Sequence, residues 1–113
     1  MGLTTDRTDE CIQLIRPDGM QECYLILPEE ERAKGYVRPV RTSYIHVTCG
    51  TETRMAEAIA ETYARNPEFY GGTYCVGCRT HFPLLEWNPE TQVAERKFKW
   101  LEGGAWDGSY VGE

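Results

Sequence analysis

His46-Val-Thr-Cys49-Gly50 and Cys75-Val-Gly-Cys78, with 25 residues between Cys49 and Cys75, decide how this chain of 113 residues is read. Each stretch sets two metal-ligating side chains three positions apart, so that a tight turn can curl around one cation while its amides point at the ligands; a glycine after the second ligand, as at Gly50, eases the backbone path. Two such knuckles supply four ligands, the arithmetic of a zinc ribbon. The segment between them reads as an inserted helix: from Thr53 to Asn66 the apolar residues Met55, Ile59 and Tyr63 recur every four positions, and Asn66-Pro67 ends the run.

Three thiolates and an imidazole favour Zn²⁺ over Mg²⁺ or Ca²⁺, which want oxygen. The ligand set is therefore His46, Cys49, Cys75 and Cys78, with Arg41, Arg54 and Arg79 close enough in sequence to offset a shell charge near −1. His81, three positions after Cys78, offers a rival imidazole and could replace His46. Four protein ligands imply a structural rather than a catalytic zinc, which keeps an open position. A nucleotide-deaminase pattern fails because Thr48 stands where its glutamate belongs and Tyr74 where its proline belongs. H-E-x-x-H, G-x-S-x-G and Walker patterns are absent from the sequence. A dithiol redox role for Cys75 and Cys78 would leave His46 and Cys49 without a purpose.

Composition bounds the remaining choices. With 41% apolar and 27% charged residues the chain suits one small domain, in which a structural metal adds to a thin stability margin. No apolar run reaches membrane-spanning length and the first ten residues are polar, so the expectation is a soluble, cytoplasmic protein. Residues 1–31 carry eight acids and two bases, whereas residues 32–54 carry five bases and one acid, within a total of −6. A generic nucleic-acid binder is basic overall, and this chain is not. The basic segment 32–54 still offers Arg38, Arg41 and Arg54 as phosphate contacts, beside Tyr36 and Tyr44 as stacking surfaces; the alternative is that its bases pair with acids of the same molecule.

Outside the knuckles, residues 1–10 read as a flexible tail and residues 11–113 as a single zinc-stabilised domain. Cys11–Ile15 and Met20–Leu27 read as a β-hairpin about the turn Arg16-Pro-Asp-Gly19. In that register Cys11 and Cys23 stand diagonally, about 7 Å apart and too far for a relaxed disulfide, so both are expected as buried thiols. Pro28–Gly35 resembles one helical turn, and Tyr36–Val47 is extended up to His46. His81–Trp87 reads as a strand, as does Val93–Leu101 with Phe98 and Trp100 on one side and Lys97 and Lys99 on the other. Gly103-Gly104 and Asp107-Gly108 bracket Trp106 in a final hairpin or loop. The aromatics from Tyr63 to Trp87 are expected mostly in the core, and Trp106 and Tyr110 are the candidates for exposed interface anchors. The fold class is α+β: antiparallel strands, an N-terminal hairpin and one main helix between two knuckles.

Gly35-Tyr-Val-Arg-Pro-Val-Arg41, His46-Val-Thr-Cys-Gly50, Ala60-Glu-Thr-Tyr-Ala-Arg65, Pro67 through Cys75 to Cys78, and His81-Phe-Pro83 together resemble a family of small uncharacterised zinc-ribbon proteins of phages and prophages. The resemblance covers about half the chain and carries over only the ligand positions His46, Cys49, Cys75 and Cys78. It implies a phage-encoded protein acting in the bacterial host cytoplasm. By analogy of size and context, that implies a non-enzymatic inhibitor or regulator of a host protein complex, for example an anti-CRISPR protein, with a nucleic-acid or nucleotide-binding ribbon as the alternative.

Overall fold

A computed structural model describes residues 2–113. Its centre is an antiparallel sheet of four strands in the order β10–β9–β3–β4, built from β3 (Ser43–His46), β4 (Glu52–Arg54), β9 (Phe98–Glu102) and β10 (Ala105–Tyr110). Period-two patterning explains the inner pair. Tyr44 and His46 alternate inward on β3, Phe98 and Trp100 do so on β9, and the register pairs Tyr44 with Trp100 and His46 with Phe98. Gly103 and Gly104, both at positive φ, turn β9 into β10 and realise the expected final hairpin.

The helix α2 (Glu57–Arg65) follows β4 and buries Ile59, Ala60, Tyr63 and Ala64. Its beginning is later than the sequence periodicity predicts. Glu52, Thr53 and Arg54 extend the sheet by pairing with β3, with Thr53 opposite Tyr44, so strand pairing outcompetes local helix preference there. Asn66 stops the helix as expected, its N–H bonding the Thr62 carbonyl. Tyr63 meets Trp100 edge-on with ring centroids 5.5 Å apart, and Tyr44 meets Trp100 likewise at 6.1 Å. With Ile26, Leu84, Phe98 and Val111 these rings form the core.

Two separate hairpins complete the C-terminal half: β5 (Gly72–Cys75) with β6 (Thr80–Pro83), and β7 (Leu85–Asn88) with β8 (Val93–Arg96). The expected single strand His81–Trp87 is therefore divided at the buried Leu84, and the expected strand Val93–Leu101 at Lys97. Each half pairs with a different partner. Trp87, expected with the core aromatics, is 64% exposed.

The N-terminal third departs furthest from the expectation. Gly2–Thr4 forms β1, in parallel register with β2 (Cys23–Leu25), where a tail over 1–10 was expected; Met1 lies outside the described residues. The turn at Arg16–Gly19 is present, with Gly19 at φ +87° and its N–H on the Arg16 carbonyl. The flanking hairpin shrinks to an isolated bridge between Ile15 and Gln21. Cys11 sits in a 3-10 turn (Glu10–Ile12) whose first amides are capped by Asp9, which carries it out of the hairpin register. Its Cα then lies 5.3 Å from that of Cys23, and the two form a disulfide. The expectation of two buried free thiols is corrected: it rested on a ladder that does not extend to Cys11. A single helical turn, α1 (Glu29–Arg32), follows β2 as expected.

Most of the basic segment is engaged within the molecule. Arg32 pairs with Glu61, and Lys34 with Glu31. Arg41 is buried, its guanidinium 2.8 Å from Asp107 and stacked 4.7 Å from the centre of the Trp100 ring. Arg54 is exposed, and Arg38 reaches the Glu113 carbonyl.

Candidate metal centre

The last residue of β3 is His46, and its chain reverses at once. The Gly50 N–H bonds the His46 carbonyl at 2.7 Å, with Gly50 at φ +72°. The last residue of β5 is Cys75, and the second reversal repeats the first: the Arg79 N–H bonds the Cys75 carbonyl at 2.7 Å, with Arg79 at φ +58°. The left-handed position that a glycine relaxes in the first knuckle is held by an arginine in the second.

The two turns lock against each other. A Cβ at Gly77 would lie 2.5 Å from the Thr51 hydroxyl, so only glycine allows this approach. The Val76 N–H donates to the Thr53 hydroxyl at 3.0 Å, joining the second knuckle to β4. Beneath them Tyr44 donates its hydroxyl proton to the Tyr74 carbonyl and accepts one from Thr73 at 3.0 Å, tying the central sheet to β5. Burial is the main reason the Tyr44 phenol is pushed far above its usual range.

These contacts bring His46, Cys49, Cys75 and Cys78 together. One ligand atom from each lies within 4.8 Å of the others, close enough to hold a metal ion. The Cys49 and Cys75 sulfurs are 3.4 Å apart, and Cys78 Sγ is 3.6 Å from His46 Nδ1. A tetrahedron with zinc–sulfur bonds of about 2.3 Å and a zinc–nitrogen bond of about 2.05 Å has edges of about 3.8 Å and about 3.6 Å. Donor chemistry and spacing both fit such an ion. Cys75 and His46 are buried, whereas Cys49 and Cys78 are exposed.

Apart from its Nδ1 contact with the sulfurs, His46 is held by aromatic rings. Phe98, its cross-strand neighbour, stacks on the imidazole at 4.6 Å and 13°, and Phe82 lies on it at 4.7 Å. With Nδ1 turned to the sulfurs, the proton belongs on Nε2, which is buried with no hydrogen-bond acceptor among the described residues. Loss of solvation opposes ionisation of Cys49, but the Thr51 backbone N–H and hydroxyl, then Cys75 and His46, hold its thiol down to about 6. Partial loss of solvation beside its neighbours first, then hydrogen bonds with Cys75 and Cys49, push the exposed Cys78 up to about 11. A divalent cation placed among them favours the thiolate at every position.

The rival imidazole lies elsewhere. His81 Nε2 is 2.9 Å from the Tyr24 hydroxyl, and burial lowers its pKa. Of the arginines expected to offset the site's charge, Arg41 is committed to Asp107, while Arg54 and Arg79 are exposed. Sequence reading did not find the supports of the site. Phe82 and Phe98 act on His46 only because two different strands bring them to its faces, and Thr51 and Thr53 lock the knuckles through contacts that no local motif records. The second group with ligating side chains, Asp9, Cys11 and Cys23, has its two sulfurs in the disulfide and Asp9 on the Cys11 amide.

No helix among the described residues is long and apolar enough to cross a membrane. No family model, no curated protein and no solved structure matches the chain, so the centre is described by its own geometry alone.

Proposed function

We propose that this chain is a zinc-stabilised, non-enzymatic protein-binding module. The observation that carries the reading is the convergence of three sulfurs and one imidazole nitrogen within 4.8 Å of one another, close enough to share one ion, where the central sheet meets the β5–β6 hairpin. Four protein ligands complete the shell and leave no position for a substrate, so the ion ties two knuckles together and the work falls to the surface. His46, Cys49, Cys75 and Cys78 hold the zinc. The ion supplies cross-linking of chain segments that are remote in sequence, worth about 10–16 kcal/mol in small zinc-binding peptides.

The surface reading follows from what the basic residues do. Arg32, Lys34 and Arg41 are paired internally, which leaves Arg38 and Arg54 as the remainder of a phosphate-binding set in a chain of net charge −6. Large apolar side chains, among them Leu85, Trp87 and Trp106, are exposed instead. The biological form we favour is a phage-encoded regulator of a host complex, such as an anti-CRISPR protein. Pull-down from a bacterial lysate with the zinc-loaded chain tests it. A stoichiometric protein partner whose binding survives added salt supports the module; recovery of nucleic acid alone, with affinity falling steeply as salt rises, overturns it in favour of a nucleic-acid-binding ribbon.

A further inference from the structure

A cleft of about 300 Å³ lies where the disulfide-closed segment 11–23 and β2 meet β6 and the chain entering β5. Ile12, Leu25 and the Tyr70 ring give it apolar walls, the Tyr70 hydroxyl being engaged by the Leu25 carbonyl. Gln21, Tyr24 and His81 supply its polar groups. All six residues are half-buried and so reachable from solvent. Mostly apolar walls with a few convergent polar groups are the make-up of a small-molecule site, and the volume is at the lower end of that class.

The hydrogen bonds decide what the polar groups still offer. The Tyr24 hydroxyl oxygen accepts the Gln21 backbone N–H at 3.2 Å and lies 2.9 Å from His81 Nε2. The phenol proton has no other acceptor among the described residues, so it is donated to Nε2, and this network assigns the imidazole proton to Nδ1. Burial lowers the His81 pKa, which keeps the ring uncharged near neutrality. Neither Nδ1 nor the Gln21 side-chain amide has a hydrogen-bond partner among the described residues. No Asp, Glu, Lys or Arg lines the cleft. An ionic group placed there would lose water without gaining a counter-charge.

We propose that this cleft binds an uncharged planar nitrogen heterocycle of the nucleobase kind, as the free base or the nucleoside. The heterocycle packs against the Tyr70 ring and the aliphatic walls. One of its acceptors takes the His81 Nδ1 proton, and an adjacent donor and acceptor pair with the Gln21 amide, the way glutamine reads a base edge. The cleft shares no residue with the metal centre, and its occupancy is independent of the protein-binding reading.

Adenosine, inosine, cytidine and uridine are titrated separately into the zinc-loaded chain, with amide chemical shifts as the readout. Benzyl alcohol serves as a ring without the donor and acceptor edge. Gly71 also lines the cleft, its φ is not positive, and a Cβ there meets nothing within 4 Å, so Gly71→Leu narrows the space without a clash. Expected are saturable shifts around residues 12, 21–25, 70–72 and 81 with at least one nucleoside. Binding should weaken about ten-fold or more in Gln21→Ala, His81→Ala and Gly71→Leu, and for benzyl alcohol, with zinc content unchanged. Gln21→Ala removes a side chain that bonds nothing in the described protein, so its loss of binding reports the ligand rather than the fold. Silence of all four nucleosides at millimolar concentration, equal binding of benzyl alcohol, or indifference to Gln21→Ala and Gly71→Leu would each overturn the site. So would a single-stranded oligonucleotide that binds, with affinity falling as salt rises, while every nucleoside fails, because phosphate contacts elsewhere would then carry the binding.

Discussion

The candidate metal centre and the Cys11–Cys23 disulfide each join remote parts of this chain, and they are built on opposite terms. The knuckles at 46–50 and 75–79 each present two potential ligands three positions apart, the spacing a shared ion would require, so each half of that centre is complete within a few residues. The Cys11–Cys23 clasp has no such local signature; its sulfurs meet because a 3-10 turn lifts Cys11 out of the strand that would have misaligned it. The comparison teaches that chemistry imposed by a ligand is local in sequence, whereas chemistry imposed by register is not.

The strongest way to break the comparison is to remove the metal. Chelation, or Cys75→Ser at the fully buried candidate ligand, is expected to cost on the order of 10 kcal/mol, comparable with the whole stability of a domain of this size, and to collapse amide dispersion around residues 43–54 and 72–83. Amide spectra with and without chelator check this. Opening the other clasp should cost far less. Reduction, or Cys11→Ser, releases a loop of sequence separation 12, worth about 3 kcal/mol in the chain-entropy account. Thermal melts with and without reductant measure it, and zinc content should not change; zinc loss on Cys11→Ser would mean the two clasps are one cooperative unit.

Two smaller tests sharpen the picture within the metal half. Tyr44→Phe removes the hydroxyl shared by the Tyr74 carbonyl and Thr73. The expected cost is about 1–3 kcal/mol, because both are left without their partner in a buried place, with zinc affinity falling alongside stability. Denaturant unfolding and competition with a chelator read the two effects. The smallest effect is expected at Arg79, which occupies the left-handed backbone region that Gly50 occupies in the first knuckle. Arg79→Gly should gain up to about 1 kcal/mol, offset in part by the greater freedom of glycine in the unfolded chain. A loss there would show that the two knuckles are not equivalent turns.

Much of the metal half was legible because its patterns are short. His46-x-x-Cys49 and Cys75-x-x-Cys78 named the four side chains that the fold brings within reach of one metal ion. The alternation from Phe98 to Trp100 named the inward face of β9, and Gly103-Gly104 its turn. What escaped depends on partners remote in sequence. Thr53 reads as the start of a helix until Tyr44 is seen opposite it across a ladder. His81–Trp87 reads as one strand because nothing local marks Leu84 as the point where the chain leaves β6 and enters a hairpin with β8. Trp87 reads as core until its strand is seen to pair only with β8 among the described residues, where its cross-strand neighbour Ala94 is exposed. The parallel strand Gly2–Thr4 is short and polar enough to pass for a tail.

Native mass spectrometry of the chain purified without chelator or added zinc tests the central claim most directly. One zinc per chain is expected, absent from His46→Ala, Cys49→Ser, Cys75→Ser and Cys78→Ser, and retained by His81→Ala. A metal-free chain, or one that keeps its zinc without Cys75 or surrenders it with His81, would contradict the shared four-ligand centre.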